Sequence, residues 1–356
     1  MTADSTVAGR MFDQWTYRLG AWDGDQPHAG RPTGSAAGGC VVFFTRRADP
    51  ETTELQRVLA LLGVPSRRVD ADDPGSIELD LNDPGLLRLD GSLVRPTACW
   101  TRRFWASAMA LPRSPADVLH RDSWLALVRQ SPELAPVAFP GPGLGLGLLE
   151  QLNDAARAGI RIPATIVTTD PAEAARRLPG DRLVVKTLGP HFAEPVPGTL
   201  HGLSPRVLPR GEIGCHDGLP PLVVQEYVRH RAEYRVYFVR GELIMFEVSK
   251  PSPDAIWRAQ EAVRVRAEER VPEVRAVVAR LAERWSLAFG AFDVLLTDDG
   301  VVFLEVNADG DWRWYETKAG TRSVSRTIAL TLRDLHLAAG GHATRSGVGL
   351  LMLLAG

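Results

Sequence analysis

The apolar and polar positions of this chain change period several times. Val41, Val42, Phe43 and Phe44 form an unbroken apolar run of strand length, which predicts a buried strand. Leu55, Val58, Leu59 and Leu62 follow at i, i+3, i+4 and i+7, so a helix comes next, and Gly63 ends it. Residues 66–69 fit a second strand, and this strand–helix–strand opening predicts an α/β domain. Residues 77–81 and 87–89 alternate like half-exposed strands. A helix carrying Leu119, Trp124, Leu127 and Val128 closes the region near residue 135.

Past a Pro-Gly-rich stretch at 139–147, a helix is predicted from about Leu148 to Ala158, with Gly159 placed as its C-terminal cap. Residues 163–168 and 183–186 read as strands separated by a short helix at 171–178. Residues 187–220, dense in Pro and Gly, are expected to be a long mobile loop or lid. Strands follow at 222–227, 234–239 and 243–248, with Gly241 turning the last two. Val274, Val277, Val278, Leu281 and Trp285 share one helical face behind Pro272. Two more strands at 291–296 and 301–307 and a helix around 323–337 complete the fold. Residues 1–39 are expected to be a flexible extension whose glycine-rich end, Gly30 to Gly39, is a linker.

The 356 residues suffice for two or three domains. We divide them at 40–135, 136–220 and 221–340, with a tail at 341–356. Forty-one Lys and Arg against 43 Asp and Glu give a net charge of −2, a poor match to non-specific nucleic-acid binding. No apolar run near an end approaches a membrane span, and no secretory signal is visible. Three scattered cysteines fit neither a disulfide framework nor a CxxC metal site, which favours a reducing cytoplasm. Only three cations are lysines, and none lies in a Gly-Lys-Ser/Thr loop. The glycines at 141, 143, 145 and 147 follow no strand and miss the dinucleotide spacing. His191, Cys215 and His216 fall in one polar loop and are expected to be solvated there.

The chemistry lies in residues 291–307, Ala-Phe-Asp-Val-Leu-Leu-Thr-Asp-Asp-Gly-Val-Val-Phe-Leu-Glu-Val-Asn, a β-hairpin. A two-residue Asp299-Gly300 turn pairs 293 with 306. A three-residue turn pairs 297 with 301 and sets Asp293 opposite Glu305, with Asn307 diagonal on the same face. Phe292, Val294, Leu304 and Val306 then take the other face. Two adjacent carboxylates repel unless a cation lies between them, and carboxylate plus amide oxygen suits Mg²⁺.

This hairpin, ending Phe303-Leu-Glu-Val-Asn-Ala-Asp-Gly-Asp-Trp-Arg-Trp314, resembles the ATP-grasp ligases. More narrowly it resembles the graspetide or microviridin type that macrocyclises ribosomal peptides. Trp100-Thr-Arg102-Arg103, Val184-Val185-Lys186, Gln225-Glu226-Tyr227-Val228, Glu233-Tyr-Arg235-Val236 and Ile256-Trp257-Arg258 are similar to family segments in the family's order. The resemblance implies an α/β (α+β) ATP-grasp fold. An N-terminal α/β domain would precede a central lid-like domain and a C-terminal antiparallel sheet. It also implies ATP and Mg²⁺, with side-chain carboxylates of a precursor peptide activated as acyl phosphates and converted to amide or ester.

By the same resemblance, Asp293, Glu305 and Asn307 hold the metal. Lys186 contacts phosphate and adenine. The 225–228 segment (Gln225, Glu226, Tyr227, Val228) receives the adenine, through the backbone of Glu226 and Val228, and Glu233 the ribose. Arg235 and Arg258 bind the terminal phosphate or acyl phosphate. Trp312 and Trp314 are read as core packing or as a wall beside the substrate. Arg102 and Arg103 alternate on a strand, so at most one faces a site, and ordinary salt bridging is expected of them. The family usually carries a further lysine upstream of the one at 186, and this chain has none. The other functions weighed are a ligase of free amino acids or small metabolites and a non-catalytic nucleotide- or peptide-binding protein. A homodimer is also possible.

Overall fold

The computed structural model describes residues 14–18, 38–83, 85–141, 146–189, 192–196, 199–214, 218–252 and 255–343. The first sheet has the order Ser66–Asp70, Gly38–Thr45, Ser92–Thr101, Leu87–Leu89, Ile77–Leu79, with Ala138–Phe139 paired beside Ser92–Thr101. Its pairs with Gly38–Thr45 are parallel, as the strand–helix–strand opening requires. The helix Pro50–Leu61 starts at Asp49, whose carboxylate accepts the Thr52 N–H as an N-cap. The strand begins at Gly38, inside the expected linker. Of the expected loose extension, Gln14–Arg18 forms a strand antiparallel to Thr199–Leu203. The expected helix carrying Leu119, Trp124, Leu127 and Val128 is Pro115–Arg129; Val128 is buried in it and Leu119 is 69% exposed.

A four-stranded antiparallel sheet follows, in the order Arg206–Pro209, Arg182–Thr187, Leu222–Glu226, Thr165–Thr168. The helix Pro171–Arg177 packs Ala174 and Ala175 against it. The region expected to be one loop, 187–220, instead carries three short strands, Phe192–Val196, Thr199–Leu203 and Arg206–Pro209. Proline and glycine obscured strands this short. His191, Cys215 and His216 lie outside the described residues.

The third sheet is antiparallel, ordered Arg264–Ala267, Glu242–Ser249, Ala232–Val239, Phe289–Thr297, Gly300–Asn307. On one face Tyr234, Val236, Phe238, Phe292 and Val294 meet Val274, Val278 and Leu281 of the helix Pro272–Arg284. The other face changes character along its length. At one end Tyr237, Val239, Phe289 and Ala291 join a core with Trp100, Trp312 and the helix Ser323–Ala338. At the other end the same side of the strands carries Glu233, Arg235 and Asp293, which line a cleft. Period-2 alternation thus builds a core and a charged floor on one face.

Candidate functional site

The cleft encloses about 730 Å³ between the second and third sheets. Its floor is the hairpin Phe289–Thr297 and Gly300–Asn307, and Asp293 does stand opposite Glu305. The register arises differently from expectation. Thr297 pairs with Gly300 and Val294 with Phe303, and the ladder then shifts so that Asp293 meets Glu305. A tight turn on its own would have paired 293 with 304. A bulge at Leu304 supplies the missing residue. It also moves Leu304 off the buried face, so that Leu304 packs with Val228, Leu295 and Val302 and lines the cleft.

Each carboxylate meets a cation. Arg235 Nη1 donates to Asp293 Oδ2 at 2.6 Å, and Lys186 Nζ to Glu305 Oε2 at 2.7 Å. Asn307 Nδ2 lies 3.3 Å from Asp293 Oδ2 and 3.5 Å from Glu305 Oε1. Burial, with the neighbouring Glu305 charge adding to it, raises the Asp293 carboxyl to about 6, although Arg235 pulls the other way. A floor this reluctant to hold both negative charges gains from a bound cation. Two carboxylates and an amide oxygen are a hard donor set that fits Mg²⁺, with phosphate and water completing it. Among the described residues no group of three or more His, Cys, Asp or Glu offers a metal another place.

Arg235 is buried, and its guanidinium lies 5.5 Å from the Tyr237 ring and 5.4 Å from the Tyr315 ring. Burial works against its charge, but Asp293 and the two phenols hold it protonated. Lys186 is buried on Arg182–Thr187, opposite Val223.

Beyond Lys186, the segment after Leu222–Glu226 forms a wall. The Glu226 N–H donates to Ala164 O at 2.8 Å and the Ala164 N–H to Glu226 Oε2 at 3.1 Å. The Val228 carbonyl faces His230 Nδ1 at 3.0 Å. Gln225 is buried and donates to Thr165 Oγ1 at 2.9 Å, so its amide braces the sheet. Tyr227 lines the cleft with the Arg182 guanidinium 5.1 Å from its ring. Glu233 accepts from Lys250 Nζ at 2.8 Å. Arg258 ends the short helix Ala255–Arg258, and its side chain lies outside the described residues.

Gln151 was not legible as a site residue. Gln151 Oε1 accepts the Val306 N–H at 2.8 Å while its Nε2 donates to Val306 O at 3.0 Å. It therefore grips the open edge of the strand between Glu305 and Asn307. Arg103 has φ 55°, so strand alternation stops there and both arginines reach Asp311. Trp312 and Trp314 divide. Trp312 is buried and donates to Ser325 Oγ at 3.0 Å, whereas Trp314 lines the cleft. Cys40 and Cys99 are buried free thiols, and burial pushes Cys40 up to about 12, far from a nucleophile's range.

These sheets, with the cleft between the second and third, make the ATP-grasp fold. The solved structure of the ATP-grasp ligase PsnB, complexed with a phosphomimetic variant of a minimal precursor, Mg and ADP, superposes with a TM-score of 0.66 at 18% identity, over 84% of this chain and 99% of that one. The macrocyclase MdnC of Microcystis aeruginosa MRC, bound with precursor peptide MdnA, gives 0.62 at 20% identity over 83% and 99%. A RiPP-associated ATP-grasp ligase of Chryseobacterium gregarium, in complex with ADP and a leader and core peptide, gives 0.64 at 19% over 83% and 97%. No family model matches the chain. No curated protein matches it either.

Proposed function

We propose that the chain is an ATP-dependent ligase that activates side-chain carboxylates of a ribosomal precursor peptide and joins them to an amine or hydroxyl. The observation carrying this reading is the Asp293–Glu305–Asn307 floor, set against Lys186 and Arg235 in an ATP-grasp cleft. PsnB, MdnC and the Chryseobacterium gregarium ligase are solved with precursor peptides, and the first and last hold ADP. With domains at 40–135, 136–220 and 221–340, a docking surface for the precursor's leader segment would lie on the first of the three.

Asp293, Glu305 and Asn307 would hold Mg²⁺, which when bound neutralises phosphate charge. The Glu226 carbonyl and Val228 N–H would read the adenine edge, and Glu233 would exchange Lys250 for the ribose hydroxyls. Lys186 and Arg235 would turn from their carboxylates to phosphate oxygens, where a planar guanidinium fork suits Arg235 well. A substrate carboxylate oxygen attacks the terminal phosphorus, the bond to the bridging oxygen breaks, and ADP leaves. The amine or hydroxyl then attacks the acyl carbon, which expels phosphate, and the nucleophile gives up its proton. Positioning and charge stabilisation carry most of the acceleration in such transfers.

Hydroxylamine trapping tests the reading. Protein, Mg·ATP and size-fractionated host extract are incubated with hydroxylamine and read by mass spectrometry. A hydroxamate on a peptide, with ADP formed, is the expected result. A hydroxamate on a small acid instead makes the chain a metabolite ligase. Bound nucleotide with neither hydroxamate nor ADP makes it a non-catalytic binding protein.

A further inference from the structure

Arg102 ends the strand Ser92–Thr101 of the first sheet, far in sequence from the metal floor, and is 1% exposed. A cation this deep needs a full set of partners. Its Nε lies 3.2 Å from Asp49 Oδ2. Its Nη1 donates at 3.0 Å to the carbonyls of both Asp309 and Gly310, and its Nη2 donates to Asp311 Oδ1 at 2.7 Å. The guanidinium lies 4.6 Å from the Trp312 ring. Asp49 is fixed in turn by the hydroxyls of Thr45 and Thr52, at 2.6 and 2.7 Å. One side chain therefore grips four consecutive residues, 309 to 312, which begin two positions after Asn307.

Two routes lead from that grip to Arg235. A Cβ on Gly310 would stand 2.7 Å from Arg235 Nη2 and 2.5 Å from Ala291 Cβ, so bare backbone forms the wall against which the guanidinium rests. Tyr237 donates its hydroxyl to the Asp311 carbonyl and receives Arg235 Nε at 3.5 Å. The phenol is buried, which keeps it protonated as this donor role requires. Two of the groups around the Arg235 guanidinium, Gly310 at Nη2 and the Tyr237 hydroxyl at Nε, thus belong to or are tied to the segment that Arg102 holds, while Asp293 holds Nη1.

We propose that Arg102 is a positioning residue. It fixes the 309–312 segment and, through Gly310 and the Asp311–Tyr237 pair, the direction in which Arg235 presents its guanidinium. The inference rests on the reading that Arg235 meets the terminal phosphate. Its signature is selective: a misdirected Arg235 weakens a nucleotide carrying a third phosphate and spares one that lacks it.

The test compares the affinities of Mg·AMPPNP and Mg·ADP by titration calorimetry. Arg102→Met is made with Asp49→Asn and Glu51→Gln, so that neither buried carboxylate beside Arg102 is left without its cation, and Tyr237→Phe removes only the relay hydroxyl. Arg102→Lys keeps charge without the fork, and Arg235→Gln calibrates the readout. The expected result is a rise of about tenfold in the Kd for Mg·AMPPNP in the triple variant, as for one charge-assisted hydrogen bond. The Kd for Mg·ADP should move less than about twofold, with Tyr237→Phe and Arg102→Lys intermediate. If Arg235→Gln shifts the ratio while the Arg102 and Tyr237 variants lose only melting temperature, Arg102 is structural and the proposal is overturned. If Arg235→Gln itself leaves the ratio unchanged, the phosphate role of Arg235 falls, and the proposal with it.

Discussion

At the scale of single residues, the floor of the cleft balances charge pair by pair: Asp293 with Arg235, Glu305 with Lys186, Glu233 with Lys250. On the proposed reading each pair would open when nucleotide arrives, with phosphate replacing the acid for the base and metal or ribose replacing the base for the acid. Glu305→Gln weakens one metal ligand and relieves its repulsion with Asp293, but leaves the Lys186 ammonium without its carboxylate. These effects oppose, so the melting temperature should stay within about 4 °C of the parent. Mg²⁺ should no longer tighten ADP binding in this variant or in Asp293→Asn. Calorimetric titration of ADP with and without Mg²⁺ reads this directly. An undiminished Mg²⁺ effect in both variants would remove the metal from this site.

At the scale of elements, the strand Gly300–Asn307 is the outer strand of its sheet and carries two of the three proposed metal ligands. An open edge is a poor platform for ligands that must hold position. The edge is closed by Gln151 at Val306 and by Arg161, whose carbonyl accepts the Phe303 N–H at 2.9 Å. Gln151→Leu fits the space but leaves the Val306 N–H and carbonyl without these partners. That should cost about 2–6 kcal/mol in urea unfolding, at about 1–3 kcal/mol per unsatisfied buried group. It should also loosen the Mg²⁺ dependence of ADP binding. Normal stability together with a protected Val306 amide in hydrogen exchange would show the clamp to be dispensable.

The hairpin was readable from alternation, and the facing of Asp293 and Glu305 followed from it. The bulge was not readable, because Leu304 is as apolar on the cleft side as it would be in the core. The salt bridging expected of Arg102 and Arg103 is what they make, and only Arg103 lines the cleft; that both reach Asp311 was not readable, because alternation presumes extended backbone, which a φ of 55° ends. Gln151 and Arg102 left no local signal: their partners lie 155 and about 208 residues away.

At the scale of the whole molecule, the first and third sheets are joined by buried polar contacts as well as by the apolar core around Trp100, Trp312 and Phe289. One is Arg102, which donates from the first sheet to the Asp309 and Gly310 carbonyls that follow the third; the other is His336. His336, fully buried on the last described helix, faces Thr97 Oγ1 through Nδ1 at 2.9 Å and the His342 carbonyl through Nε2 at 3.3 Å. A Cβ on Gly341 would stand 2.3 Å from the ring, so bare backbone packs directly against the imidazole. Burial lowers the His336 pKa below its ordinary 6.5, with the nearby His342 adding to the effect against the opposing hydrogen bond.

The unfolded chain then binds more protons than the fold as pH falls below about 6.5, so stability is complete above that value and declines beneath it. Asp49 behaves in the opposite sense. Arg102, Arg103 and the two threonine hydroxyls outweigh its burial and hold its carboxyl well below the usual carboxylate range. Its contribution is therefore present above the ordinary carboxylate value of 3.8 and is lost only in stronger acid. Urea midpoints should fall between pH 8 and pH 5.5, and His336→Gln, which keeps a donor and an acceptor, should flatten that fall. The steeper loss below pH 4 should persist in His336→Gln and shrink when Asp49→Asn and Glu51→Gln are combined with Arg102→Met. An unchanged slope between pH 8 and 5.5 in His336→Gln would mean that acid acts elsewhere, and that the junction between the first sheet and the last helix is insensitive to the charge on its histidine.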